Sequence, residues 1–355
     1  MEEMGEMLNT GRDTPGTVKI TPDMTFGDLE KIPQLAQAGP YLIGGDGQYY
    51  HMAKDLPLSE GHGVLGWNFE SMRDGIEYLM ERAEKGKYLY TVYTEEEIRE
   101  TPAKKDVNIM HFPAQDREKA KRRPYIIDCP GGAYLNVCSI AEGYPIAQIF
   151  NRMGYDVFVV NYRVNEKNIM PKPLDDLAAC IRYVMAHHAG FDIADPKRYI
   201  VGGFSAGGNL TALWGTKNLG YPVYSLPRPE AMFPIYPVSD LHLFDGITDQ
   251  ELVDAFMDTL FGADRSEERI KEYSVLEQMD PDYPPCYISC CRDDETVPCS
   301  NSEKMYEKMQ ELGIPSVLDE GDHGGHGFGD GRFADTKGWM ERAVKFFEKI
   351  GEKQV

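Results

Sequence analysis

Residues 199–212 read YIVGGFSAGGNLTA. An apolar run, Tyr199-Ile200-Val201, leads into Gly203-Phe204-Ser205-Ala206-Gly207, and a helical pattern follows from Asn209-Leu210-Thr211-Ala212. A bare G-x-S-x-G is common, but here it sits between a buried strand and a helix. A strand that turns this sharply into a helix puts the serine at a strained φ/ψ, so the positions two before and two after it must be small. Gly208 extends the small surface and lets the helix approach the sheet. The helix N-terminus behind Ser205 offers unpaired N–H groups and a positive dipole end to a developing oxyanion. Ser205 is therefore the candidate nucleophile, against the alternative of a glycine-rich structural turn.

Outward from this turn, short β-rich runs alternate with helical patterns from about Val107 to the end. Strands are expected at 107–112, 125–129, 156–161, 198–202, 231–236, 286–291 and 316–319. Helices are expected at 140–153, 174–187, 206–216, 300–312 and 336–350. The strand candidates are apolar nearly throughout, as strands buried on both faces are. Alternation of this kind predicts an α/β class, a mostly parallel central sheet with helices on both faces. Two parts fall outside it. Residues 1–106 carry a helical pattern at 71–83, a capping box of Thr94 and Glu97, and a possible strand at 88–93. They are expected to form an N-terminal extension that caps the site or mediates oligomerisation. Residues 242–282, mostly helical and acidic, are expected as an insertion on the loop end of the sheet, within a catalytic domain spanning 107–355. Phe69, Met72, Tyr78 and Met80 have two readings, as lining of a cap or as the core of their own segment.

A serine hydroxyl needs a base, and the base needs an orienting acid. In chains of this architecture the order is serine, acid, histidine. After the strand at 286–291 come Asp293, Asp294 and Glu295, all at the same sheet edge as Ser205. After the last strand comes GDHGGHGFG, with His323 and His326 in a glycine-rich loop. Spacing alone leaves the acid and the histidine open. Pro130-Gly131-Gly132-Ala133-Tyr134 follows the strand at 125–129, where adjacent glycines can aim backbone N–H groups at one point. Tyr134 beside that loop is a candidate floor for a small acyl pocket, or a packing aromatic.

Composition narrows the rest. The 355 residues carry a net charge of −21. Such a surface repels phosphate backbones and anionic headgroups, so nucleic acid and membrane surfaces are not expected as partners. The N-terminus MEEMGEMLNTGRD is acidic where a secretory leader is basic, and no run approaches the roughly 20 apolar residues of a membrane span. Seven cysteines without framework spacing predict reduced, buried thiols and a cytoplasmic location. The adjacent Cys290 and Cys291 lack the spacing of a metal site.

From about Val107 onward the chain resembles bacterial esterases of the hormone-sensitive-lipase and acetyl-xylan-esterase-like groups, which have the α/β-hydrolase fold. Asn161-Tyr162-Arg163 looks like their NYR signature. Pro171 with Asp175-Asp176-Leu177 looks like their P-x-x-x-D segment, which leads into Asp195-Pro196-Lys197-Arg198. The resemblance implies Asp294 as the acid, from D-x-x-V-P, and His326 as the base, from H-G-F. It also implies Gly132, Ala133 and Ala206 as oxyanion-hole donors. The loop departs from H-G-G-G, with Pro130 for the histidine and Ala133 for the third glycine, as in the acetyl-xylan-esterase-like branch. The resulting expectation is a serine carboxylesterase acting on short-chain, chiefly acetyl, esters of a sugar or small alcohol, with no metal or organic cofactor. A serine exopeptidase or amidase is the alternative, and a non-catalytic binding protein on the same scaffold a third. A cap that buried its apolar face in a second copy would make a homodimer.

Overall fold

The computed structural model describes residues 18–61, 66–242 and 250–352. Among them eight strands form one sheet: β1 Leu89–Thr91, β2 Asn108–Phe112, β3 Tyr125–Cys129, β4 Val157–Asn161, β5 Tyr199–Phe204, β6 Ala231–Ile235, β7 Cys286–Cys291 and β8 Ser316–Gly321. Their order is β1-β2-β4-β3-β5-β6-β7-β8. The two pairings that involve β2 are antiparallel, and all others are parallel. The seven expected strands are thus all present. The possible strand at 88–93 is the short edge strand β1, which lies N-terminal to the boundary drawn at residue 106 yet pairs with β2.

Strand periodicity sends side chains alternately to two cores. Tyr125, Ile127 and Cys129 of β3, with Phe158 and Val160 of β4, face one cluster. The helices Lys172–Ala186, Ser205–Trp214 and Ser300–Glu311 cover it through Leu177, Ile181, Leu210, Leu213, Met305 and Met309. Ile126, Val157 and Val159 face the other cluster, under the helices Tyr144–Met153 and Trp339–Glu352. The N-terminal segment joins that second core. Its helix Phe69–Glu84 is capped by the Asn68 side chain, which accepts from Ser71 N–H at 3.2 Å, and it buries Met72, Ile76, Leu79 and Met80 beside Ile146 and Phe150. Phe69 and Tyr78 pack at the rim of the same cluster, so Phe69, Met72, Tyr78 and Met80 all belong to this core or its edge.

Several local expectations change. β5 runs two residues beyond the strand expected at 198–202, because its parallel ladder with β6 continues through Gly203 and Phe204. The helix expected at 140–153 is broken into Ser139–Glu142 and Tyr144–Met153. Gly143 sits at φ −120°, ψ −70°, and Pro145 occupies the first turn of the second piece, where its missing N–H costs nothing. The cysteines are not all reduced: Cys290 at the end of β7 and Cys299 before the helix Ser300–Glu311 form a disulfide, with Cα atoms 5.8 Å apart. Cys129, Cys138, Cys180, Cys286 and Cys291 remain buried thiols. In the insertion, the helices Gln250–Phe261 and Glu267–Tyr273 are present, while the part of 242–282 at residues 243–249, like the acidic residues 1–13, lies outside the described residues. No helix among the described residues is long and apolar enough to cross a membrane.

Candidate active site

Parallel strands deliver their C-terminal ends to one edge, and the chemistry-bearing loops gather there. Ser205 is the first residue of the helix after β5 and sits at φ +52°. This left-handed conformation is costly for a serine and is held by its surroundings. The crowding explains the small residues around it: a Cβ on Gly207 would lie 1.9 Å from the Cys129 carbonyl oxygen. Ala206, the second helical residue, has an N–H without an intrahelical acceptor.

The loop after β7 carries Asp294, whose side chain is fully buried. Its Oδ2 lies 2.7 Å from His326 Nδ1, and His326 Nε2 lies 2.9 Å from Ser205 Oγ. The other oxygen, Oδ1, accepts from Thr296 N–H at 2.9 Å and Val297 N–H at 2.8 Å. Burial disfavours a charged His326, but the charge and hydrogen bond of Asp294 outweigh it, so the imidazole is raised above its ordinary value. The neighbouring acids face elsewhere. Asp293 accepts from Gly324 and Gly325 N–H at 3.0 and 2.8 Å. It thereby braces the histidine loop, and these bonds overcome burial and hold its carboxyl below the usual range. Glu295 is exposed. His323 is exposed as well and lies 3.6 Å from Asp293.

Opposite the serine, the loop after β3 turns through positive φ at Gly132 (+130°), Ala133 (+55°) and Tyr134 (+56°). Among the described residues no acceptor takes the Gly132 or Ala133 N–H. Tyr162 of the NYR sequence braces this loop by donating its hydroxyl to Pro130 O at 2.5 Å. Arg163 pairs with buried Asp176 at 2.8 Å.

A pocket opens over Ser205 and His326. It is lined by Gly132, Ala133, Ala206, Val238 and Val297 from the sheet edge, by Trp67 from the N-terminal segment, and by Leu252, Val253 and Phe256 from the insertion. Tyr134 is not among its walls, which corrects the expectation of a pocket floor. Its side chain is fully buried, donates to Asn209 Oδ1 at 2.8 Å and stacks on Phe256 at 6.0 Å. Trp67 and Glu142 are among the lining residues that the sequence pattern does not single out. Trp67 is 5% exposed and packs edge-on to Phe26. Glu142 is a buried carboxyl at the pocket wall.

A family model described as BD-FAE matches residues 110–309, more than half of the chain. The chain belongs to the BD-FAE family. Over 222 residues it is 29% identical to the acetylxylan esterase of Xylanibacter ruminicola, a match covering 58% of this chain and 41% of that one. The chain therefore spans about two fifths of that relative's length. Among solved structures, an acetyl ester-xyloside bifunctional hydrolase from Caldicellulosiruptor lactoaceticus is similar with a TM-score of 0.62 and 28% identity, covering 74% of this chain and 96% of the other. An α/β-hydrolase from a Medee basin deep-sea metagenome library has a TM-score of 0.53 at 23% identity, covering 69% and 92%, and shows the shared fold. The architecture of this family member is the α/β-hydrolase fold.

Proposed function

We propose that the chain is a serine carboxylesterase that removes short acyl groups, acetyl foremost, from a sugar or small alcohol. The observation that carries this reading is the run of contacts from Asp294 through His326 to Ser205, at 2.7 and 2.9 Å, ending at a pocket with mostly apolar walls. Named esterases among the relatives support it.

In this reading Ser205 Oγ attacks the ester carbonyl carbon while His326 Nε2 takes its proton. The N–H groups of Gly132, Ala133 and Ala206 receive the negative charge that develops on the carbonyl oxygen. Collapse of the tetrahedral intermediate breaks the bond to the alcohol oxygen, which leaves with the proton from His326. A water then gives its proton to His326 and attacks the acyl-enzyme, and the carboxylic acid departs as Ser205 recovers its proton. Asp294 keeps the ring in the tautomer with Nδ1–H and stabilises the imidazolium.

The test is hydrolysis of p-nitrophenyl acetate, butyrate and octanoate by the wild type and Ser205→Ala. Rates that fall with chain length and drop at least ~10³-fold in the variant support the reading. A wild type inert on all three esters, or a variant as active as the wild type, contradicts it; cleavage of an amide analogue instead would favour the amidase alternative.

A further inference from the structure

We propose that Glu142 is a positioning residue that, through Tyr236, ties the oxyanion loop to the histidine loop. This rests on the serine-esterase reading above. Glu142 is 3% exposed, and both of its carboxylate oxygens are engaged. Oε2 accepts from Gly131 N–H at 2.7 Å, and Oε1 accepts from the Tyr236 hydroxyl at 2.8 Å. Tyr236, 1% exposed and directly after β6, has its hydroxyl oxygen 3.3 Å from Gly329 N–H, which donates to it. Its ring lies 4.9 Å from the His326 ring and 4.6 Å, edge to face, from Phe328. One buried carboxylate therefore reaches the loop after β3 directly and the loop after β8 through a single hydroxyl.

The fit around Gly131 shows how tightly that loop is held. A Cβ there would lie 2.9 Å from Glu142 Oε2, 2.9 Å from Ser205 Cβ and 2.6 Å from Phe204 O. The strand-to-helix turn and the Glu142 carboxylate thus both crowd the point that a Cβ on Gly131 would take. With the Gly131 N–H anchored, the peptide enters Gly132 and Ala133 along a fixed path, and their positive φ values are sustained by an external contact. Oxyanion donors act only where they meet the charge of the transition state, so a small drift costs turnover more than ground-state binding. Burial pushes the Glu142 carboxyl up, partly offset by its bonds to Tyr236 and Gly131. Such a group is retained at a cost that bracing two loops would explain.

The experiment compares wild type, Tyr236→Phe, Glu142→Gln and Glu142→Ala. It measures kcat and KM on p-nitrophenyl acetate, the rate of Ser205 modification by a fluorophosphonate, and folding by thermal melting and near-UV circular dichroism. Tyr236→Phe keeps the ring and removes only the hydroxyl. Its kcat is expected to fall about tenfold, an order below the loss of an oxyanion donor itself, with KM within about threefold. Glu142→Ala is expected to lose about 10²-fold in kcat, and Glu142→Gln, which keeps an acceptor for Gly131 N–H, to recover about tenfold of that. Phosphonate modification should slow in parallel. Folded Tyr236→Phe and Glu142→Gln proteins with kcat within about twofold of wild type, or with the loss confined to KM, overturn the proposal. If Glu142→Ala does not fold, these two variants decide. A wild type that neither cleaves esters nor reacts at Ser205 fails the esterase reading itself and takes the proposal with it.

Discussion

Asp294 holds His326 with one oxygen, Oδ2 at 2.7 Å from Nδ1, while its other oxygen accepts from Thr296 and Val297 N–H. The acid is thus fixed by its own loop before it touches the imidazole. Asp294→Asn should lower kcat by roughly 10³- to 10⁴-fold by permitting the wrong tautomer, with little loss of fold. The pH profile carries an independent sign. The proposed mechanism needs a neutral His326, and its raised value predicts that wild-type kcat/KM falls as pH drops through a point above the ordinary imidazole value of about 6.5. Loss of the Asp294 charge moves that limb to lower pH, and a pH–rate series on both proteins checks it.

Asp293 differs from Asp294 in consequence. Its carboxylate is partly exposed and accepts from the Gly324 and Gly325 N–H groups of the histidine loop. Asp293→Ala should therefore cost no more than about tenfold in kcat, through a looser loop. Side-by-side kinetics of Asp293→Ala and Asp294→Asn check the ranking.

Trp67 reaches the pocket from the N-terminal segment and Phe256 from the insertion. Trimming either to alanine should relax acyl-length selectivity and raise the octanoate-to-acetate ratio of kcat/KM by about tenfold, the low end of what one methylene is worth in an apolar pocket. A ratio unchanged in both variants would mean that the acyl chain lies elsewhere.

The disulfide joins cysteines only nine positions apart, and the stretch it closes includes the whole loop that carries Asp294. Removing it by Cys299→Ser should lower stability by about 2–3 kcal/mol on the loop-entropy argument. Denaturant unfolding checks the loss, and mass spectrometry after thiol alkylation without reductant checks that the bond is present in the wild type.

The sheet and the serine turn were legible because their signals are local: apolar runs bounded by turns, and small residues packed around Ser205. By spacing alone the candidate acid and histidine were legible only as sets, which the family resemblance narrowed to Asp294 and His326, since Asp293, Asp294 and Glu295 are adjacent in sequence and differ only in where the loop aims them. Glu142 was invisible for a different reason. Its partners, Gly131 and Tyr236, lie 11 and 94 residues away. A continuous helix drawn through 140–153 also hid the break that ends the first short helix at Glu142; Pro145 in a first-turn position was the available clue. Tyr134 was misplaced because adjacency in sequence to an oxyanion loop does not determine which way a side chain points. The pairing of Cys290 with Cys299 follows from how β7 meets the next helix, not from a spacing motif.

The most direct test of the account is to treat the protein with a fluorophosphonate and locate the adduct by peptide mass spectrometry. A single adduct on Ser205 is expected, absent in Ser205→Ala and formed far more slowly in His326→Ala. No adduct on the folded wild type, or one on another residue with Ser205 unmodified, would contradict it.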